Sequence, residues 1–123
     1  MTTAASEYAK LLTKFGAIEG TESGQMFGKS CIKVNGKAFL SLHKEWVIFK
    51  LTGEHHRKAL GLEGAELWDP SGKGRPMREW VAVPAMAHTH FSVLAQASYE
   101  YVAAGAQRPK ADQQRLELYP GNI

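Results

Sequence analysis

Tyr8, Leu11, Leu12 and Phe15 fall at i, i+3, i+4 and i+7, the spacing that puts apolar side chains on one face of a helix. A helix is predicted over about 5–16, with Gly16 as its stop. A polar stretch follows. Cys31-Ile32-Lys33-Val34 then alternates, Asn35-Gly36 is a hairpin turn signal, and 38–42 resumes as apolar residues with small ones between, so two antiparallel strands are predicted. His43-Lys44 makes a second short turn. The run from Glu45 to Leu51 holds Trp46, Val47, Ile48 and Phe49, whose β-branched and aromatic content favours a third strand.

Thr52 can cap a short helix running to about Leu60, with Glu54 in its first turn, where a negative charge suits the helix dipole. Gly61 ends it. A brief strand at 65–68 leads into Asp69-Pro70-Ser71-Gly72-Lys73-Gly74-Arg75-Pro76, whose glycines and prolines forbid regular structure. Residues 78–83 read as another strand, and Pro84 stops it. Beyond it Phe91, Leu94, Ala95, Tyr101 and Val102 repeat at helical spacing, with Ser98 on the same face, while the segment from about 108 is polar and peripheral.

The order α-β-β-β-α-β-β-α makes a two-layer α+β domain: a twisted antiparallel sheet of about five strands with helices on one face. Along the third strand Val47, Phe49 and Leu51 point one way, and Trp46, Ile48 and Lys50 the other. One sheet face is thus expected under the helices while the other mixes apolar and basic residues. Large apolar patches are uncommon on monomers, so that second face is expected to be covered by the tail through Leu116, Leu118 and Tyr119, by a second subunit, or by a ligand.

At 123 residues, 44% hydrophobic and 22% charged, the chain has the size and usage of one globular domain and not of a disordered segment. Cys31 is the single cysteine, so no intramolecular disulfide can form and a reducing compartment is expected. The beginning Met-Thr-Thr-Ala-Ala-Ser-Glu lacks the pattern of a signal peptide, and no apolar run approaches the roughly 20 residues of a membrane span. The expectation is a soluble, cytoplasmic protein without a membrane partner.

A net charge of +3 permits phosphate contact without arguing for it, but the distribution says more. From Lys29 to Lys50 the lysines 29, 33, 37, 44 and 50 face the single acid Glu45. A hairpin carrying Lys29, Lys33 and Lys37, with Lys73, Arg75 and Arg78 on and after the loop, is the pattern that lies against a phosphate backbone; lysine is equally a common solvated residue that guards exposed strands. Phe39, Trp46 and Ile48, interleaved with lysine, suit a protein partner or a homodimer as well as they suit a base. Met77 and Trp80, together with Trp68, either line a small-ligand pocket by the loop or pack its base.

Ser71-Gly72-Lys73-Gly74-Arg75 invites comparison with phosphate-cradling loops, yet matches neither G-x-x-x-x-G-K-[ST] nor G-x-G-x-x-G. The histidines, His43, His55-His56 and His88-x-His90, lie at spacings that do not face one another on a helix, and no ligand cluster completes a metal set. No order of Ser, His and Asp supports a triad. A non-enzymatic binding module without cofactor or metal is expected, acting on nucleic acid or, alternatively, on a protein partner or small ligand.

Met26-Phe27-Gly28, Ile32 to Phe39, Asp69-Pro70 and Gly74-Arg75-Pro76-Met77-Arg78-Glu79-Trp80-Val81-Ala82-Val83-Pro84 together resemble the N-terminal domain family of TfoX/Sxy, the bacterial competence regulator, and its distant YjbR/MmcQ-like relatives. The likeness runs from about Tyr8 to Val102. It implies a two-layer α+β domain with a twisted antiparallel sheet and a link to regulation of DNA uptake or to DNA binding. After Val102 only about twenty residues remain, too few for the regulator's C-terminal helical domain, which puts a direct competence role in doubt.

Overall fold

A computed structural model describes residues 2–106; the tail with Leu116, Leu118 and Tyr119, expected above as a cover, lies outside them. Helix α1 (Ala4–Gly16) opens on a capping box: the Thr3 hydroxyl accepts from the Ser6 N–H at 3.0 Å, and the Ser6 hydroxyl accepts from the Thr3 N–H at 3.2 Å. Two N–H groups that have no partner inside a helix are satisfied in this way. Ala4, Tyr8, Leu11 and Phe15 form its buried stripe, as the spacing predicts.

The sheet follows as β1 (Thr21–Met26), β2 (Lys29–Val34), β3 (Lys37–His43) and β4 (Trp46–Lys50), then after α2 (Gly53–Leu60) as β5 (Glu66–Trp68) and β6 (Met77–Pro84). A 3-10 segment (Ala85–His90) precedes α3 (Phe91–Ala106). All pairings are antiparallel, in the order β1-β2-β3-β4-β6-β5. The architecture is α+β with helices on one face. It has one strand more than the apolar pattern predicts: β1, Thr-Glu-Ser-Gly-Gln-Met, sits at a sheet edge and buries no residue, so it has no alternation to read.

The main core lies between sheet and helices, where Val34, Phe39, Leu40, Val47, Phe49, Leu51, Val81 and Val83 meet the stripes of α1 and α3. Phe39 belongs here, and not on the face of Trp46 and Ile48 as expected. The cause is a bulge: Ile32 pairs with Leu40 and Lys33 with Ala38, leaving Phe39 as an extra residue. Two residues then oppose one, and Phe39 and Leu40 both turn inward, fully buried. Phe39 packs edge-on against Phe15 and Tyr99, with ring centroids 5.5 and 5.7 Å away.

The opposite face carries a second, smaller core of Ile48, Trp68, Trp80 and Ala82, with Met26, Ala38, Trp46 and Met77 packed around it. Phe27 sits in the turn between β1 and β2, at one edge of the sheet, and Trp68 lies on β5 at the other. Six flat strands would hold those edges about 24 Å apart, from five gaps of roughly 4.8 Å. Their ring centroids are 5.8 Å apart. The sheet therefore coils around this face, and the diagonal corners that strand twist lifts toward one side close on each other. Ile48 and Trp80, expected to face a partner or ligand, are buried by the protein's own sheet.

Candidate functional site

The closed diagonal brings two remote stretches of sequence to one corner. On one side stands the β1–β2 turn, Met26-Phe27-Gly28-Lys29, in which Phe27 has φ 52° and Gly28 φ 75°. Both central residues are left-handed, as a two-residue turn needs in order to match strand twist. Glycine takes that conformation freely, but a phenylalanine pays about 1–2 kcal/mol for it. Phe27 nevertheless stands 58% exposed, its ring edge-on to Trp68. A bulky aromatic ring held strained and half in solvent is the most conspicuous local departure in the fold.

His43, at the end of β3, lies 6.4 Å from the same Trp68 ring. Its imidazole pKa is lowered from the ordinary 6.5, first by burial and then by the positive charges of Lys29 and Lys44. Both lysines lie at this end of the sheet: the β2–β3 register that pairs Cys31 with Ser41 runs on to set Lys29 opposite His43, and Lys44 follows His43. Lys44 takes φ 55° in the β3–β4 turn, and a recess of about 260 Å³ opens beside it against Glu45 and Trp46.

The loop of 69–76 leaves directly from Trp68, and its shape is set by one carboxylate. Asp69 accepts from the Ser71 hydroxyl (2.7 Å) and from the N–H groups of Ser71 (3.2 Å), Gly72 (3.1 Å), Gly74 (2.7 Å) and Arg75 (3.1 Å). The Ser71 hydroxyl is the largest influence holding the Asp69 carboxyl below its usual range, with the Gly74, Arg75 and Gly72 N–H groups adding to it. The loop does form an anion nest, as its glycines suggest. Its anion is its own Asp69, which occupies the donors that a phosphate would need and leaves the Lys73 and Arg75 side chains on the rim.

Of the cations singled out from sequence, Lys29 lies at this corner with Lys44, and Lys73 and Arg75 lie on the loop that leaves it after Trp68. Lys33 and Lys37, the latter opposite Val34, belong to the other end of the β2–β3 hairpin, about 13 and 17 Å along the strand from Lys29 at 3.3 Å per residue. Arg78 is exposed on β6, and its carbonyl accepts the His56 Nε2 at 2.7 Å, tying α2 to the sheet. Among the described residues none of these cations has a carboxylate within 4.0 Å, whereas Lys10, Lys50 and Lys58 pair with Glu7, Glu79 and Glu54. Trp46 and Met77 remain partly exposed.

Phe27, His43 and Lys44 were missed as site residues by sequence reasoning. The signal for Phe27 was present, because a bulky residue before glycine in a two-residue turn is unusual where Asn-Gly would be unstrained. His43 carried none, since its surroundings arise from the coil. The described residues contain no group of three or more potential metal ligands, and no helix among them is long and apolar enough to cross a membrane. No family model matches the chain, and no curated protein or solved structure matches it either.

Proposed function

We propose that this protein is a non-enzymatic, cytoplasmic binding module that holds single-stranded nucleic acid at the corner formed by Phe27, Lys29, His43, Lys44, Lys73 and Arg75. One observation carries the reading: Phe27 is kept strained and exposed amid cations that no carboxylate of the described residues neutralises. An exposed ring offers a stacking platform only to an unpaired base, and nearby cations follow the strand's phosphates. In a duplex the base faces are already stacked, so the single strand is favoured. Of the stretches that resemble the TfoX/Sxy N-terminal family, Met26-Phe27-Gly28, Asp69-Pro70 and the beginning of the one from Gly74 adjoin this corner, and the link to DNA implied by that resemblance points the same way.

Fluorescence anisotropy with a labelled twelve-residue oligothymidylate tests the proposal. We expect saturable binding at low salt, with affinity falling about two to three decades per decade of salt if three to four phosphates are contacted. An equally long duplex should bind more weakly. Absence of binding at tens of micromolar, or preference for the duplex, refutes it. The dimerisation reading retains only Trp46, since Phe39 and Ile48 are buried within the chain itself, and of the ring and thioether expected to line a small-ligand pocket Trp80 is buried as well.

A further inference from the structure

The helical layer carries a second concave surface, unrelated to the corner. Three clefts of about 390, 290 and 310 Å³ run along the seam of α2 and α3, and His55 lines all three. They merge through shared walls: Val93 borders the first and third, Ala97 and Glu100 the second and third. From His90 to Tyr101 the trough follows eleven residues of helix, about 17 Å at 1.5 Å each.

Its floor is apolar, built from Ala59, Leu62, Val93, Leu94 and Ala97. Val93 is 62% exposed, on a helix whose other apolar side chains are mostly buried. The rim is basic: Lys14, Arg57 and Lys58, the last shared with Glu54 at 3.7 Å, stand with the imidazoles of His55 and His90 around the single lining acid Glu100. Glu100 accepts from the Gln96 amide at 3.0 Å, and Lys14 reaches across to the Ser92 hydroxyl at 3.3 Å, bridging α1 and α3 at the trough's edge.

We propose that this trough binds an acidic amphipathic helix of a partner protein. Successive depressions along a shallow groove accept apolar side chains presented at i, i+3, i+4 and i+7 by an incoming helix, and a length near 17 Å matches about three turns of one. Cations around an apolar floor select acidic flanks and suppress basic competitors. A nucleic-acid strand fits this surface less well, because the floor of the depressions is aliphatic and the phenol ring of Tyr101 lies at one end of the trough with its hydroxyl bonded to Glu79.

The test uses an acetylated, amidated sixteen-residue peptide with leucine at i, i+3, i+4 and i+7 and glutamate at the remaining exposed positions, titrated into the ¹⁵N-labelled protein. Saturable shifts of the His55, Ala59, Val93 and Ala97 amides are expected, weakened at least tenfold by Val93→Glu and by replacing the peptide's glutamates with lysines. Val93 is exposed, so its substitution leaves the fold intact, and an unchanged spectrum away from the trough verifies this. The Phe27→Asn variant should bind the peptide as the wild type does. No saturable shift at millimolar peptide, shifts confined to other surfaces, or wild-type affinity in Val93→Glu overturns the inference, as does an oligothymidylate that perturbs the trough amides more strongly than the peptide does.

Discussion

Replacing Phe27 separates what its position costs from what its ring does. Three contributions set the stability change. The left-handed backbone costs a residue such as Phe about 1–2 kcal/mol, a cost that asparagine largely avoids and that Asn-Gly turns favour. The edge contact with Trp68 contributes about 0.5–1.5 kcal/mol. With Phe27 58% exposed, the covered two-fifths of its surface is worth roughly 1 kcal/mol of the up to 3 gained by full burial. Phe27→Asn therefore loses about as much as it regains and should stay within about 1 kcal/mol of wild type. Phe27→Ala loses the same contacts and keeps most of the strain, so it should fall by about 1–2.5 kcal/mol. Urea unfolding followed by tryptophan fluorescence reads both. Both variants should lose five- to hundredfold affinity for oligothymidylate, the span of about 1–3 kcal/mol per stacked base. Asn no more stable than Ala would refute the strain argument, and wild-type affinity in either variant would refute the stacking role.

Four further outcomes follow from three polar groups. Among the described residues the Tyr8 hydroxyl is buried without a hydrogen-bond partner, so Tyr8→Phe should stabilise the fold by about 1 kcal/mol in thermal or urea unfolding, removing an uncompensated desolvation. Burial, and secondarily the charge of Cys31, push the Tyr8 pKa up from 10.0 to about 12; this raised value favours the folded state fully below pH 10 and is lost as pH rises through 12, so Tyr8→Phe should flatten the alkaline decline of stability. Asp69 has a depressed pKa, so its contribution to loop order is present above the ordinary carboxyl value of 3.8 and lost as pH falls through the folded one; Asp69→Asn should speed amide exchange of residues 71–75 at neutral pH without unfolding the sheet. His43 titrates below 6.5 in the free protein, and oligothymidylate should raise that value in an NMR titration, because a phosphate beside Lys29 and Lys44 favours the imidazolium; an unmoved titration would place the strand elsewhere.

Local periodicity was enough to read α1, the hairpin of β2 and β3, strand β4 and the facing of Val47, Phe49 and Leu51 against Trp46, Ile48 and Lys50, because each buries alternate or helically spaced side chains against one layer. It failed where an element takes its place from its partners and not from its own apolar pattern. Strand β1 is polar on both faces and exists through its pairing with β2. The bulge at Phe39 leaves only two adjacent apolar residues, which a strand exposed to two cores would also show. Thr52 precedes α2 as expected but makes no side-chain capping bond, and the segment after Pro84 begins as a 3-10 turn before α3, since a proline at the entrance limits the first turn without dictating its pitch.

The coil of the sheet decides where a ligand can act. A flat sheet would have offered Trp46, Ile48, Trp80 and the hairpin lysines as one broad platform; coiling consumes its apolar centre in a private core and leaves the rim. The surviving site is therefore split between two sheet edges, the β1–β2 turn and the loop after Trp68, whose separation is fixed by the contact of Phe27 with Trp68. Because β1 has no fully buried side chain, that contact and the packing of Met26 around the second core hold its far end over the face. A ligand stacked on Phe27 and bound to cations of both edges would close the same gap, so its binding energy and the order of the hairpin are one coupled quantity. Substitutions in β1 far from the corner, by loosening the hairpin, should then weaken binding without touching the ligand, which distinguishes a site assembled by sheet coiling from one carried on a single rigid element.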